Sequence, residues 1–285
     1  MLILCPTPIG NLGDITLRQR EALESADRIA CEDTRRTGKL LELLGIPRIE
    51  GRPALLRYDD HSKETELDRV IALLKGGERI VLVSDAGTPT ISDPGYGLVR
   101  RCRQEGIAVE ALPGPVAAMV ALSGSGLPSD RFFFEGFLPS SSAERENRLR
   151  EVLSSFGEVT SIFYESPYRI LDTLKTLVVL GEEDRQIALV RELTKMHEEY
   201  LVGTLNEVLR EVESRDQVKG ELVLLLGPKK KEGGQEEVLR KTEDEAMRAM
   251  LDEGLSKRTI KELMHRLYEM PRSSVYGRLE ELAKA

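Results

Sequence analysis

The chain has 285 residues, 40% hydrophobic and 32% charged, which suits one large domain or two ordinary ones and excludes a disordered polymer. Its net charge of −8 excludes a protein that coats nucleic acid through charge alone. No stretch approaches the roughly 18 apolar residues of a membrane span, and no basic-then-apolar leader opens the chain, so a cytoplasmic protein is expected. Cys5, Cys31 and Cys102 are odd in number and far apart, and His61, His197 and His265 form no H-E-x-x-H, so neither a disulfide framework nor a metal site is expected.

Apolar runs bounded by Gly, Pro or Asp predict strands at Leu2–Cys5, Arg28–Glu32, Arg79–Val83 and Ile107–Leu112. Helical periodicity falls between them, at Leu17–Ala26, Thr37–Leu44, Thr65–Lys75 and Tyr96–Glu105. This alternation predicts an α/β domain with parallel strands over residues 1–112. Over 113–228 the rhythm changes. Strands are expected at Arg131–Phe137, Thr160–Tyr164, Gln186–Val190, Tyr200–Val202 and Glu221–Leu226, with helices at Pro115–Leu122, Glu144–Leu153, Ile170–Val179 and Leu205–Val212. Two strands there follow one another without a helix, so the second sheet should be mixed in direction. Residues 229–237 are charged and Gly-containing and read as a linker, and residues 238–285 as a helical appendage. Ile260, Leu263, Met264 and Leu267 form an amphipathic stripe between Ser256 and Pro271, and Val275, Leu279 and Leu282 imply one more helix. The stretch 229–285 carries 13 basic and 12 acidic residues, against 28 and 37 in residues 1–228.

Three loops stand out. Thr7–Asp14 follows the first strand, and Gly10 and Gly13 let its backbone approach a ligand; the alternative is a plain turn with Asp14 or Thr16 as helix cap. Ser84–Gly95 packs hydroxyl, carboxylate, Gly and Pro residues more densely than a connection needs, which favours a polar ligand surface over a turn with Asp93 as N-cap. Pro113–Pro115 opens a helix of small residues whose N-terminus favours an anion or simply packs tightly. No phosphate-binding G-x-x-x-x-G-K-[ST] and no G-x-S-x-G elbow is present. Polar clusters at 32–36, 58–61, 135–137, 164–167 and 191–195 all fall at predicted strand ends, as the wall of a cleft would.

Taken together, Thr7-Pro8-Ile9-Gly10-Asn11-Leu12-Gly13-Asp14, Glu32-Asp33-Thr34-Arg35, Ser84-Asp85-Ala86-Gly87-Thr88-Pro89, Ile91-Ser92-Asp93-Pro94-Gly95-Tyr96, Phe134-Glu135-Gly136-Phe137-Leu138-Pro139, Phe163-Tyr164-Glu165-Ser166-Pro167 and Arg191-Glu192-Leu193-Thr194-Lys195 resemble the ribosomal RNA small subunit methyltransferase I family of the tetrapyrrole methylase superfamily. The resemblance covers residues 1–228 in order. It implies two α/β domains with a cofactor cleft between them, S-adenosylmethionine as donor, 2′-O-methylation of a cytidine in the decoding region of small-subunit ribosomal RNA, and a homodimer. It places cofactor contacts at Pro8, Ile9, Val83, Ser84, Asp85, Thr88, Val116, Ala117, Glu165 and Leu193, with Lys219–Glu221 near the adenine. The chain departs from the family where Ser140–Arg145 replaces a more basic loop, where Ser62 follows His61, and in a longer Ile49–Leu56 segment.

A ribose hydroxyl needs a general base, for which Glu32, Asp33, Glu135 and His61 are the candidates, while Asp33 and Arg35 could equally just pair with each other. Arg35, Arg36, Lys39, Arg145, Arg148 and Arg150 on the body, with Lys257, Arg258, Lys261, Arg266 and Arg272 in the tail, are candidates for RNA phosphates, and the assembled subunit is a plausible substrate. The tail could instead serve dimerisation or docking. A small-molecule tetrapyrrole methyltransferase would share the donor site without needing a basic tail, and a non-enzymatic RNA-binding module would need no donor cleft.

Overall fold

A computed structural model describes residues 1–49, 51–59, 64–229, 233–268 and 270–282. Two compact units result, Met1–Lys229 and Lys230–Ala285.

In the first unit, β1 (Leu2–Leu4), β2 (Arg28–Cys31), β3 (Ala54–Arg57), β4 (Ile80–Leu82) and β5 (Val109–Ala111) form a sheet in the order β3-β2-β4-β1-β5. All its pairings are parallel. The connecting helices are α1 (Leu17–Glu24), α2 (Thr34–Leu43), α3 (Glu64–Lys75) and α4 (Tyr96–Gln104). Alternation along β1 sends Ile3 and Cys5 to one core, with Leu23 and Leu41, and Leu2 and Leu4 to another, with Val70 and Leu98. Both faces are therefore covered, which is why these strands read as unbroken apolar runs. Thr16 opens α1 with a capping box, its hydroxyl accepting from Gln19 N at 3.1 Å while Gln19 Oε1 accepts from Thr16 N at 2.7 Å. Strand β3 was not expected from the sequence.

The chain then enters a second sheet of β6 (Phe132–Phe137), β7 (Thr160–Glu165), β8 (Gln186–Arg191), β9 (Glu199–Thr204) and β10 (Leu222–Leu226), ordered β6-β7-β10-β8-β9. It is mixed, as expected: β6 and β7 are parallel, and every other neighbour is antiparallel. Helix α5 (Ala117–Ser125) packs Ala118, Ala121 and Leu122 on one face against Ile162, Val190 and Leu225. On the other face, α6 (Ser142–Phe156), α7 (Ile170–Val179) and α8 (Leu205–Glu213) bury Leu149, Leu174 and Val208 against Phe163, Leu189 and Leu224. Because β7 and β8 both run antiparallel to β10, their carboxyl ends lie at the edge where β10 begins.

The second unit consists of α9 (Gly233–Asp252), α10 (Lys257–Tyr268) and α11 (Arg272–Leu282) around Met247, Ile260, Met264, Met270, Val275 and Leu279. The Ser256 hydroxyl accepts from Thr259 N at 3.2 Å and caps α10, as its position predicted. Helix α9 begins at Gly233, inside the stretch 229–237 expected to be a tether, of which residues 230–232 lie outside the described residues. Among the described residues no helix is long and apolar enough to cross a membrane.

Candidate active site

Parallel strands deliver their carboxyl-end loops to one side of the first sheet, where α/β proteins place ligands. The loops after β1 and β4 are joined there: Thr7 N donates to Gly87 O at 2.9 Å, Gly87 N donates to Thr7 O at 3.0 Å, and Thr7 Oγ1 donates to Ser84 O at 3.1 Å. Gly87 has φ +92°, which only glycine adopts without strain. Thr88 Oγ1 donates to Pro115 O at 2.8 Å and fixes the same loop to the entry of α5.

These loops and the edge of the second sheet enclose a cavity of about 520 Å³, within the usual range for a small-molecule site. One wall is Ile9, Glu32, Arg36, Asp85–Thr88, Ile91–Asp93, Val116 and Ala117; the other is Phe137, Tyr164–Pro167, Leu193 and Gly220–Val223. Among the described residues, the non-glycine positions with positive φ are Thr90, Ser92, Glu192 and Thr194, all in the two loops that flank this cavity. Strained backbone of this kind persists where the surroundings hold it, commonly at functional sites. The Lys195 ammonium braces the second loop, donating to Glu192 Oε1 at 2.8 Å and Glu221 Oε2 at 3.0 Å.

The cavity is acidic at one end. Burial pushes the Asp93 carboxyl up to about 6, and the charges of Glu32 and Asp85 push in the same direction. Asp93 therefore lies close to neutrality, where a carboxylate accepts a proton most effectively. Arg36 Nη1 donates to Asp85 Oδ2 at 3.0 Å, whereas Asp85 Oδ1 and Thr194 Oγ1 are buried without a partner among the described residues. Buried polar atoms left in this condition are costly. Backbone exposed by Gly and small side chains, an apolar α5 face and the Asp85 carboxylate together suit a nucleoside carrying a zwitterionic tail.

Of the residues expected at a cofactor, Ile9, Asp85, Thr88, Val116, Ala117, Glu165 and Leu193 line the cavity. Pro8, Val83 and Ser84 are not part of its lining; Val83 belongs to the core, and the Ser84 hydroxyl donates to Gly87 O at 3.0 Å. The Glu165 carboxylate is already fully engaged, accepting from Ser166 N at 2.7 Å, Arg169 Nε at 2.9 Å and Thr173 Oγ1 at 2.8 Å. Its side chain is 0% exposed, so it shapes the wall from within.

Of the candidate bases, Glu32 lines the cavity. Asp33 caps α2 and holds Arg35 through bonds of 3.2 and 2.9 Å, which lower its carboxyl to about 2 and make it a poor base. Glu135 is clamped by Arg148 at 2.5 and 2.7 Å and is not part of the cavity lining. His61 lies outside the described residues. Asp93 is the residue to which sequence reasoning gave no catalytic role: α4 starts at Tyr96 with Gly95 as N-cap, and Asp93 lines the cavity. Its neighbour Pro94 suggested a helix start two residues too early.

The expected RNA contacts divide. Arg36 belongs to the cavity wall, and Arg145 is only 3% exposed, its guanidinium donating to Ser140 O at 3.3 Å, so it is not a surface phosphate contact. Arg35 and Lys39 are exposed beside Asp33 and Glu42, Arg148 and Arg150 pair with Glu151 and Glu146, and Arg272 pairs with Glu262. In the second unit Lys257, Arg258 and Arg266 are exposed and Lys261 is half-buried.

A family model described as Tetrapyrrole (Corrin/Porphyrin) Methylases matches residues 1–209. The Ribosomal RNA small subunit methyltransferase I of Escherichia coli O157:H7 is 48% identical over 226 residues, 79% of this chain and 77% of that protein. Its namesake in Vibrio cholerae is 43% identical over 280 residues, 97% of this chain and 93% of that protein. The chain belongs to the ribosomal RNA small subunit methyltransferase I family. The second of these matches, over 280 residues, extends into the helical unit. Solved tetrapyrrole methylases share the fold of the first unit. The methyltransferase CobJ superposes with a TM-score of 0.55 at 21% identity, over 80% of this chain and 93% of CobJ. A uroporphyrin-III C-methyl transferase from Thermus thermophilus, complexed with S-adenosyl homocysteine, superposes at 0.52 with 19% identity, over 79% and 96% of the two chains.

Proposed function

We propose that this chain methylates the 2′-hydroxyl of a cytidine in the decoding region of small-subunit ribosomal RNA, with S-adenosylmethionine as donor. The observation that carries the reading is the presence, in one cavity, of the loop residues suited to the donor and of Asp93, a carboxyl poised near neutrality. Bound there, S-adenosylmethionine supplies an electrophilic methyl group on a sulfonium. Ile9, Thr88, Val116, Ala117 and Leu193 hold it largely through backbone and apolar contact, with Asp85 as a carboxylate on the same wall. Asp93 accepts the proton of the ribose hydroxyl on its carboxylate, and Glu32 beside it keeps that carboxylate basic. Positioning supplies the rest of the acceleration.

Of the cations expected at RNA phosphates, Arg35, Lys39, Lys257, Arg258 and Arg266 are exposed and serve that contact. With a net charge of −8 the chain engages RNA through such local patches, which fits a structured substrate such as the assembled subunit, met by a homodimer in the cytoplasm. The test is transfer of labelled methyl to small subunits lacking the modification, run beside naked ribosomal RNA and a tetrapyrrole acceptor. Incorporation into subunits supports the reading; incorporation into the tetrapyrrole alone refutes it.

A further inference from the structure

We propose that Phe137 is the stacking platform for the nucleobase of the acceptor nucleotide, an inference that rests on the ribose-methylation reading above. Phe137 is the last residue of β6 and lines the cavity, yet it is 63% exposed. A large aromatic side chain among the lining of a cavity offers a ring face to whatever the cavity admits. Its placement is built in. Phe134 pairs with Ile162 and Gly136 with Phe163, so Glu135 is an extra residue in β6, and such a bulge re-aims the side chain that follows it. Gly136 has φ +82°, and a Cβ there would stand 3.0 Å from Ser92 Oγ. The bulge is thereby seated on the residue before Asp93. On its inner side, the Phe137 ring meets Tyr164 edge-on at 5.3 Å, and Tyr164 is itself held by Ala118 N, which donates to its hydroxyl at 3.2 Å.

The chemistry favours a base over other occupants. In a nucleotide the 2′-oxygen and the base sit on adjacent ribose carbons, so the surface that receives the base must border the group that receives the 2′ proton. Phe137 and Asp93 line the same cavity, and Gly136, next to Phe137, packs on Ser92, next to Asp93. A planar aromatic is the side chain by which proteins hold an unstacked base, and it does so without demanding a particular sequence. Cytidine selectivity would then come from other contacts.

Phe137→Leu and Phe137→Tyr test this, each measured for methyl transfer to subunits lacking the modification, for S-adenosylmethionine affinity and for oligomeric mass. Phe137→Leu is expected to raise KM for the subunit by about tenfold or more, the loss typical of one stacked base, and Phe137→Tyr to stay within about threefold of wild type. Donor affinity and mass should not change. An unaltered KM in Phe137→Leu, an equal loss of donor affinity, or a changed mass would overturn the proposal. A wild-type enzyme that methylates no RNA removes the underlying reading and this proposal with it, whereas an active wild type beside an indifferent Phe137→Leu removes this proposal alone.

Discussion

Gly10 lies directly against Lys195. A Cβ on Gly10 would stand 2.5 Å from Lys195 Cγ and 3.0 Å from the carbonyl oxygen of Leu193. The loop after β1 and the loop after β8 therefore meet without room for a methyl group, and Ile9 and Leu193 at that junction both line the cavity. Gly10→Ala should force the 191–195 loop outward, lowering stability by about 1–3 kcal/mol and donor affinity by about tenfold. Urea unfolding and calorimetric titration with S-adenosylmethionine check the two effects separately.

Asp93 makes the reaction pH-dependent. Methyl transfer under single-turnover conditions should rise as pH climbs through about 6 and then level, because the base must be ionised. Asp93→Asn should slow transfer by about 10²- to 10⁴-fold and erase that limb while leaving donor affinity nearly unchanged. A rate profile from pH 5 to pH 8 decides it. The same group affects stability in the opposite sense. Its folded value lies above its unfolded one, so the folded state binds more protons, and its contribution favours folding at low pH and is lost as pH rises from about 4 to about 6. Asp93→Asn should remove that component from urea midpoints measured across the same interval.

Glu165 acts as a strut. With its carboxylate shared among Ser166 N, Arg169 and Thr173, Glu165→Ala should cost about 2–4 kcal/mol by stranding those donors. Glu165→Gln, which keeps an acceptor oxygen, should cost less. Denaturant midpoints order the three proteins, and recovery of donor binding in Glu165→Gln would confirm that the residue supports the wall and does not supply a ligand charge.

The sequence exposed most of this architecture because each parallel strand of the first sheet is buried on both faces and so appears as an apolar run. Strand β3 escaped for the complementary reason: at the sheet edge, Ala54, Leu55 and Leu56 are only half-buried and follow Pro53, so no alternation marks them. Cavity walls made of Gly, Pro and hydroxyl residues were visible as composition. Roles that depend on direction were not. Asp93 fell in a loop read as a ligand surface but without a role of its own, Arg145 read as a surface cation although it is buried, and the 135–137 cluster read as cleft wall without showing which side chain a bulge, which no local pattern marks, would re-aim.

The two compact units allow the tail to be tested by removal. Each has its own core, so a chain ending at Lys229 should remain folded and bind S-adenosylmethionine with affinity unchanged within about twofold. Affinity for small subunits should fall, and its salt dependence should shallow, as Lys257, Arg258 and Arg266 are lost. Sedimentation of both forms separates this from an effect on oligomeric state.

Nucleoside analysis of the labelled RNA tests the central claim most directly. Small subunits lacking the modification, incubated with the enzyme and methyl-labelled S-adenosylmethionine, should yield label in 2′-O-methylcytidine after complete digestion. Label in a base-methylated nucleoside, or donor binding with no label in RNA, would contradict it.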